Sequence, residues 1–469
     1  MQGGSPLSTF LIRSGTLVCM DALGTVARGD LLVRDGRIAA LGAAVPAALA
    51  GKRPDAEYDA SGAFVLPGFV HGHLHLCQTL FRGLAEQSGL LRWLRESIWP
   101  LEAAHTAASI AASVRLGLCE LIAGGVTCVN DMGTVRHTET IGEALEASGI
   151  RAVFGKALMD QGEGVPAALI QSPRAAMDES LALAGRFHNA AAGRLGVSLA
   201  PRFILSCSEG LWREVAATAA ERGMMVHTHL AESPGEGREV AAAVSISAAR
   251  YFARHGVLGR HFVGAHGVWL DDEELGLLKR ADAALVHCPG SNLKLGSGLA
   301  RVEAWRRAGI RCGLGSDGAA CSNRLDTLHE MSLAALVSRA RSAYVTGEAA
   351  AAHAAAPVLT ARDVVALATC DGARALGLGE TTGSLEAGKQ ADIAVVNVSG
   401  PHLGPAPERD PYATLVHAAC AADVRLTMVA GRVLYRDGAW TTLDPEAVRA
   451  DARAELDGLL RRANRVEAA

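Results

Sequence analysis

No C-x-x-C pair occurs among the ten cysteines, and the basic residues, nearly all arginine, never cluster. No apolar run reaches about eighteen residues. Each absence excludes a class of protein. Singly spaced cysteines, several inside apolar stretches (Cys119, Cys128, Cys312), argue against a disulfide framework and for buried thiols in a reducing compartment. Without a long apolar run, no membrane partner is expected. A net charge of -4 with scattered arginines offers no nucleic-acid surface. The opening MQGGSPLSTFLIRSG has no basic stretch leading into an apolar one, so the chain is read as cytoplasmic.

What is present describes an ordinary globular chain: 469 residues, 49% hydrophobic and 20% charged. That length accommodates one (β/α)8 barrel of about 250 residues and a smaller domain. Residues 9–64 run as short alternating stretches punctuated by Arg34-Asp35-Gly36, a hairpin signal. Residues 383–438 repeat that chemistry, with a second Arg-Asp-Gly at 436–438. Both ends are therefore expected to form one β-sandwich domain (1–64 with 383–440) beside a TIM-type barrel (65–382), followed by an amphipathic helix (441–469). That last helix is expected to cap the barrel or sandwich, or else to serve an interface.

Between the ends, apolar strands alternate with helical stretches, the pattern of parallel βα units in an α/β fold. The strands are read at residues 64–66, 127–131, 152–160, 195–200, 224–226, around 263, at 284–287 and at 311–315, which makes the eight needed to close a barrel. Helices are read at 103–123, 138–148, 174–189, 209–222, 240–255, 272–280 and 302–308; the alanine-rich 349–356 reads as helix without special meaning.

The ionisable residues gather at strand ends, where a barrel collects its chemistry. In PGFVHGHLHLCQ (67–78), His73 and His75 stand two apart, so on a strand they face the same way. His229 follows the strand at 224–226, Glu232 lies three residues on, His266 ends FVGAH and Asp317 ends CGLGSD. Three neutral imidazoles and a carboxylate suit Zn2+, or Fe2+, with a position left for water. Bound water ionises near neutral pH and a carboxylate can take its proton; Asp317 suits that role, because Gly313, Gly315 and Gly318 leave little bulk beside it. Glu232 can donate a proton to substrate, or it is a helix N-terminal carboxylate. Cys77 is read as packing.

PGFVHGHLH, HTHLAE, GAH, GSD and GSLEAGKQADIAVVN, in that order, resemble the amidohydrolase superfamily in its deaminase and chlorohydrolase branch, over nearly the whole chain. The resemblance implies His73, His75, His229 and Asp317 as metal ligands. It implies Glu232 as proton shuttle to a ring nitrogen and His266 as the residue that holds or polarises the hydrolytic water. The reaction implied is attack of water on an amino-bearing sp2 carbon, with loss of ammonia.

FRGLAEQ, WLRESIWPLE and HCPGSNLKLGSG are similar to the deaminases of S-adenosylhomocysteine, methylthioadenosine and 5'-deoxyadenosine, in which the glutamate matching Glu102 meets ribose hydroxyls. Two positions depart from that group. Lys156 stands where an arginine is expected, and Arg202-Phe203 resembles the base-reading pair of guanine deaminases. A guanidinium donates and cannot accept, so Arg202 favours a substrate with an acceptor at that edge, unless it forms a salt bridge closing the barrel mouth. Trp93 completes the expected substrate-binding set. The substrate is expected to be a small aminated purine-like heterocycle, 5'-modified adenosines first. Guanine or another oxo-purine comes second, and an s-triazine chlorohydrolase is the third reading. A non-catalytic scaffold, and assembly as a homo-oligomer, are also carried forward.

Overall fold

The computed structural model describes residues 8–86, 89–344 and 358–467; the alanine-rich 349–356 lies outside them. Eight parallel strands close a barrel: Phe69–Leu74, Val126–Asp131, Arg151–Leu158, Leu195–Pro201, Val226–Leu230, Phe262–His266, Ala284–His287 and Arg311–Leu314. Most are buried along their whole length, as strands covered on both faces must be. The barrel closes where the last strand meets the first, Leu314 opposite His71.

The first barrel strand is a correction to the reading above. Residues 64–66 belong to Ala63–Pro67, a strand of the other sheet. The chain passes from sheet to barrel through Pro67-Gly68, so one apolar run serves two sheets, and hydrophobicity alone cannot divide it. The helix read at 103–123 is two, Trp99–Ala103 and Ala107–Ala123, because Thr106 and Ser109 form a capping box that restarts it. The stretch at 240–255 is likewise divided into Pro234–Val244 and Ala248–Arg254.

The smaller unit is a nine-stranded mixed sheet built from both chain ends. They join where Ile393–Asn397 runs antiparallel to Ala63–Pro67, with Val395 opposite Val65. Alternation then assigns the faces. Val65, Ile393 and Val395 pack with Phe10, Ile12 and Met428, while Phe64, Leu66, Ala394 and Val396 join the barrel's own core. A buried ion pair crosses the same seam, Arg151 Nε to Asp392 Oδ2 at 2.7 Å.

The C-terminal helix, Pro445–Glu467, lies against Ala107–Ala123 and Trp99–Ala103. Its Ala452, Leu459 and Ala463 share a core with Phe81, Trp93, Trp99 and Phe203. It therefore caps the barrel on the side of the mouth. Among the described residues no single helix is long and apolar enough to cross a membrane.

Candidate active site

His73 and His75 leave the end of the first strand, His229 sits near the end of the fifth, and Asp317 follows the eighth. One ligand atom from each of the four lies within 4.8 Å of every other. Asp317 Oδ1 is 3.4 Å from His73 Nε2 and 3.3 Å from His75 Nε2, which is itself 3.2 Å from His229 Nε2. Gly315 makes the approach possible, since a Cβ there would lie 2.6 Å from the His73 carbonyl oxygen. Gly318 likewise lets Gln78 in, whereas Gly313 meets only ordinary contacts.

Protons are assigned by the partners. His229 Nδ1 faces the Arg202 carbonyl at 2.7 Å and must donate to it, which leaves the Nε2 lone pair toward the cluster. His266 Nδ1 donates its hydrogen to Asn292 Oδ1 at 2.9 Å. His73 Nε2 and His266 Nε2 are fully buried with no hydrogen-bond partner. Burial pushes His73, His75 and His229 below the usual imidazole range, so they are neutral donors. Burial works against Asp317 too, but the imidazoles of His73, His75 and His266 hold it well below the usual carboxylate range. Three inward lone pairs beside a carboxylate, with an orphaned nitrogen among them, fit a divalent cation such as zinc or ferrous iron.

Glu232 is 2% exposed and stands 3.6 Å from His266 Nε2. Burial, then Asp317 and Glu236, raise it well above the usual carboxylate range, which favours its protonated form. The helix-capping role belongs instead to Glu236, which accepts from the Glu232 N–H at 2.7 Å and completes the Ser233 box. Ser291 Oγ donates to Asp317 Oδ2 at 2.8 Å.

A narrow cavity opens on this cluster, lined by His75, Gln78, Trp93, Arg202, Phe203 and Glu232 among others. Arg202 and Glu102, weighed against one another in the sequence, are partners. The guanidinium spans both carboxylate oxygens at 2.5 and 3.1 Å, both side chains are buried, and Gln78 donates to Glu102 at 2.9 Å. Lys156 is not brought to the cavity. It shares strand parity with Phe154 and so faces outward, pairing with Glu179 at 2.9 Å and with the Val135 carbonyl. His227 was missed by the sequence reading. It is fully buried and its Nε2 lies 2.8 Å from His73 Nδ1; the repeat H-T-H at 227–229 was the available signal.

A parallel barrel with imidazoles and carboxylates converging at its C-terminal mouth is the frame of a barrel hydrolase. The chain belongs to the amidohydrolase family, whose model matches residues 64–434. It is 36% identical over 438 residues to 5'-deoxyadenosine deaminase of Methanothermobacter thermautotrophicus, covering 93% of this chain and 96% of that protein. It is also 36% identical over 457 residues to 5-methylthioadenosine/S-adenosylhomocysteine deaminase of Haloarcula marismortui, covering 97% and 100%. Among solved structures, an adenosine deaminase from Xanthomonas campestris with bound zinc superposes with a TM-score of 0.86 at 28% identity, covering 98% of this chain and 99% of that one.

Proposed function

We propose that the chain is a metal-dependent hydrolytic deaminase that releases ammonia from a 5'-modified adenosine, the class named in its relatives at 36% identity. The observation that carries the reading is an inward-facing set of three imidazoles and one aspartate, with a buried carboxyl, Glu232, standing beside it 3.6 Å from His266 Nε2. His73, His75, His229 and Asp317 would hold the cation, zinc first and ferrous iron second. When bound, a divalent cation supplies Lewis acidity that brings the ionisation of water into the neutral range.

The chain's own groups do the rest. Asp317 takes the proton that the water loses, its Oδ2 steadied by Ser291. His266, its ring fixed through Asn292, presents Nε2 between the Glu232 and Asp317 carboxyls and orients the water. Glu232 delivers its proton to the ring nitrogen beside the attacked carbon. Asp317 passes the water's proton on to the amino group, which leaves as ammonia; the remaining hydroxyl proton goes back to Glu232 as the carbon keeps the oxygen as a carbonyl.

Glu102 is preset by Arg202 and Gln78, and a carboxylate with spare lone pairs can still accept from ribose hydroxyls. Arg202 spends two of its five N–H donors on Glu102, so its orientation is set by that carboxylate. Trp93 and Phe203 supply the aromatic walls.

The test is ammonia release from the metal-loaded protein against 5'-deoxyadenosine, methylthioadenosine, S-adenosylhomocysteine, adenosine, guanine and an aminated s-triazine. Turnover of the 5'-modified adenosines at the highest kcat/KM is expected. Preference for guanine would transfer the assignment to the oxo-purines, and no turnover with bound metal would leave the scaffold reading standing.

A further inference from the structure

Asp317 holds φ at +64°, in the left-handed region that side-chain-bearing residues seldom occupy, so something must fix the turn that carries it. The residue in place to do so is His71, on the first barrel strand and one alternation back from His73. Its ring is fully buried and both nitrogens are engaged. The Ser316 backbone N–H, which can only donate, points at Nε2 from 2.9 Å. Nε2 therefore accepts and Nδ1 carries the hydrogen, which it gives to Thr327 Oγ1 at 3.0 Å. The Ser316 hydroxyl lies 2.7 Å from the same Nε2 and 2.9 Å from the Asp317 carbonyl oxygen. One ring thus ties the strand carrying His73 and His75, the turn carrying Asp317, and the helix Thr327–Tyr344.

We propose that His71 is a positioning residue for the metal centre: it touches none of the four ligand side chains, but through Ser316 it holds the Asp317 turn in register with His73 and His75. Thr327 is its necessary partner, because the acceptor at Nδ1 selects the tautomer that leaves Nε2 free to receive the Ser316 N–H. The inference rests on the metal-dependent reading above and adds a residue to it.

The experiment compares wild type, His71→Leu, Thr327→Val and Thr327→Ser for zinc affinity, by competition with a chromophoric chelator, and for kcat and KM at saturating zinc. Loss of an outer partner of a metal site typically weakens metal binding about 10–100-fold. His71→Leu is expected in that range, with kcat reduced and KM for the nucleoside within about twofold of wild type. Thr327→Val is expected to follow in the same direction, and Thr327→Ser to restore wild-type affinity; this pair carries the test if His71→Leu fails to fold. A merely structural role would lower the unfolding temperature of the chelated protein without moving zinc affinity, and that result would overturn the proposal. Zinc affinity unchanged in both Thr327→Val and a folded His71→Leu would overturn it as well. A wild-type chain that bound no zinc would overturn the deaminase chemistry together with it, whereas a zinc-bound wild type with unaltered variants would overturn this inference alone.

Discussion

Glu232 and Asp317 are both buried carboxyls within reach of His266, yet their surroundings drive them in opposite directions, one toward the protonated form and one toward the carboxylate. That divergence assigns acid and base within one cavity. Glu232→Gln removes the proton donor without touching the four-residue cluster, so kcat should fall about 10²–10⁴-fold while zinc content stays at the wild-type level. Asp317→Asn should lose both, and metal analysis beside steady-state rates separates the two outcomes. The working form of Glu232 is the protonated one and its pKa is raised, so wild-type kcat should fall as pH rises through that raised pKa; a profile with no alkaline limb would contradict the assignment. At this scale much was legible. His73, His75, His229, His266 and Asp317 each close an apolar run, and their chemistry is local to their own motifs. The Glu102–Arg202 pair was not, because its members are 100 positions apart and meet only once the helix Trp99–Ala103 lies beside the end of the strand Leu195–Pro201. Lys156 was misplaced for a different reason: it was singled out by its match to an expected arginine, and not by which face it shares with Ala152 and Phe154.

Among the elements, the first turn of the helix Thr327–Tyr344 reaches the site twice, through Thr327 to His71 and through Glu330 to the Gly290 N–H at 2.9 Å. The second contact steadies the short helix Pro289–Lys294, whose Ser291 and Asn292 bond Asp317 and His266. Burial raises the Glu330 carboxyl from 4.5 to about 8. The folded chain therefore keeps a proton that the unfolded chain releases as pH passes 4.5. Stability from this group is complete below that pH and is lost as pH rises toward 8, by up to about 1.4 kcal/mol per unit. Asp131, raised to about 7, adds a slope of the same sign. Glu330→Gln should flatten the dependence of the urea midpoint on pH between 5 and 8 and leave the Asp131 part; an unchanged slope would mean that Glu330 is ionised in the fold. Alternation of strand and helix made the barrel legible, since parallel strands are wholly apolar and need helices between them. Where the first strand begins was not legible, because residues 64–70 are apolar on both sides of Pro67-Gly68 and pattern cannot say which sheet each half joins.

For the whole molecule, the seam between barrel and end-built sheet is where distant parts of the chain depend on one another. Residues about 330 apart pair as adjacent strands there, and the Arg151–Asp392 ion pair sits across the seam with both partners almost wholly buried. Two charges removed from water gain from each other only what desolvation has already taken, so the pair is better viewed as fixing the docking than as a large net gain. Breaking it is another matter. Arg151→Met leaves Asp392 buried without its counter-charge and should lower stability by about 3–5 kcal/mol in chemical denaturation. Asp392 Oδ1 also accepts from the Ala430 N–H at 2.7 Å, so the second change must remove charge and keep an acceptor. Asp392→Asn does both, and the double variant should recover the larger part of the loss. Because the pair lies at the opposite end of the third barrel strand from the mouth, zinc affinity and kcat should be unaltered in whatever fraction is folded. A double variant as unstable as Arg151→Met alone would show that the lost packing of the arginine stem, and not the stranded carboxylate, is what the seam depends on.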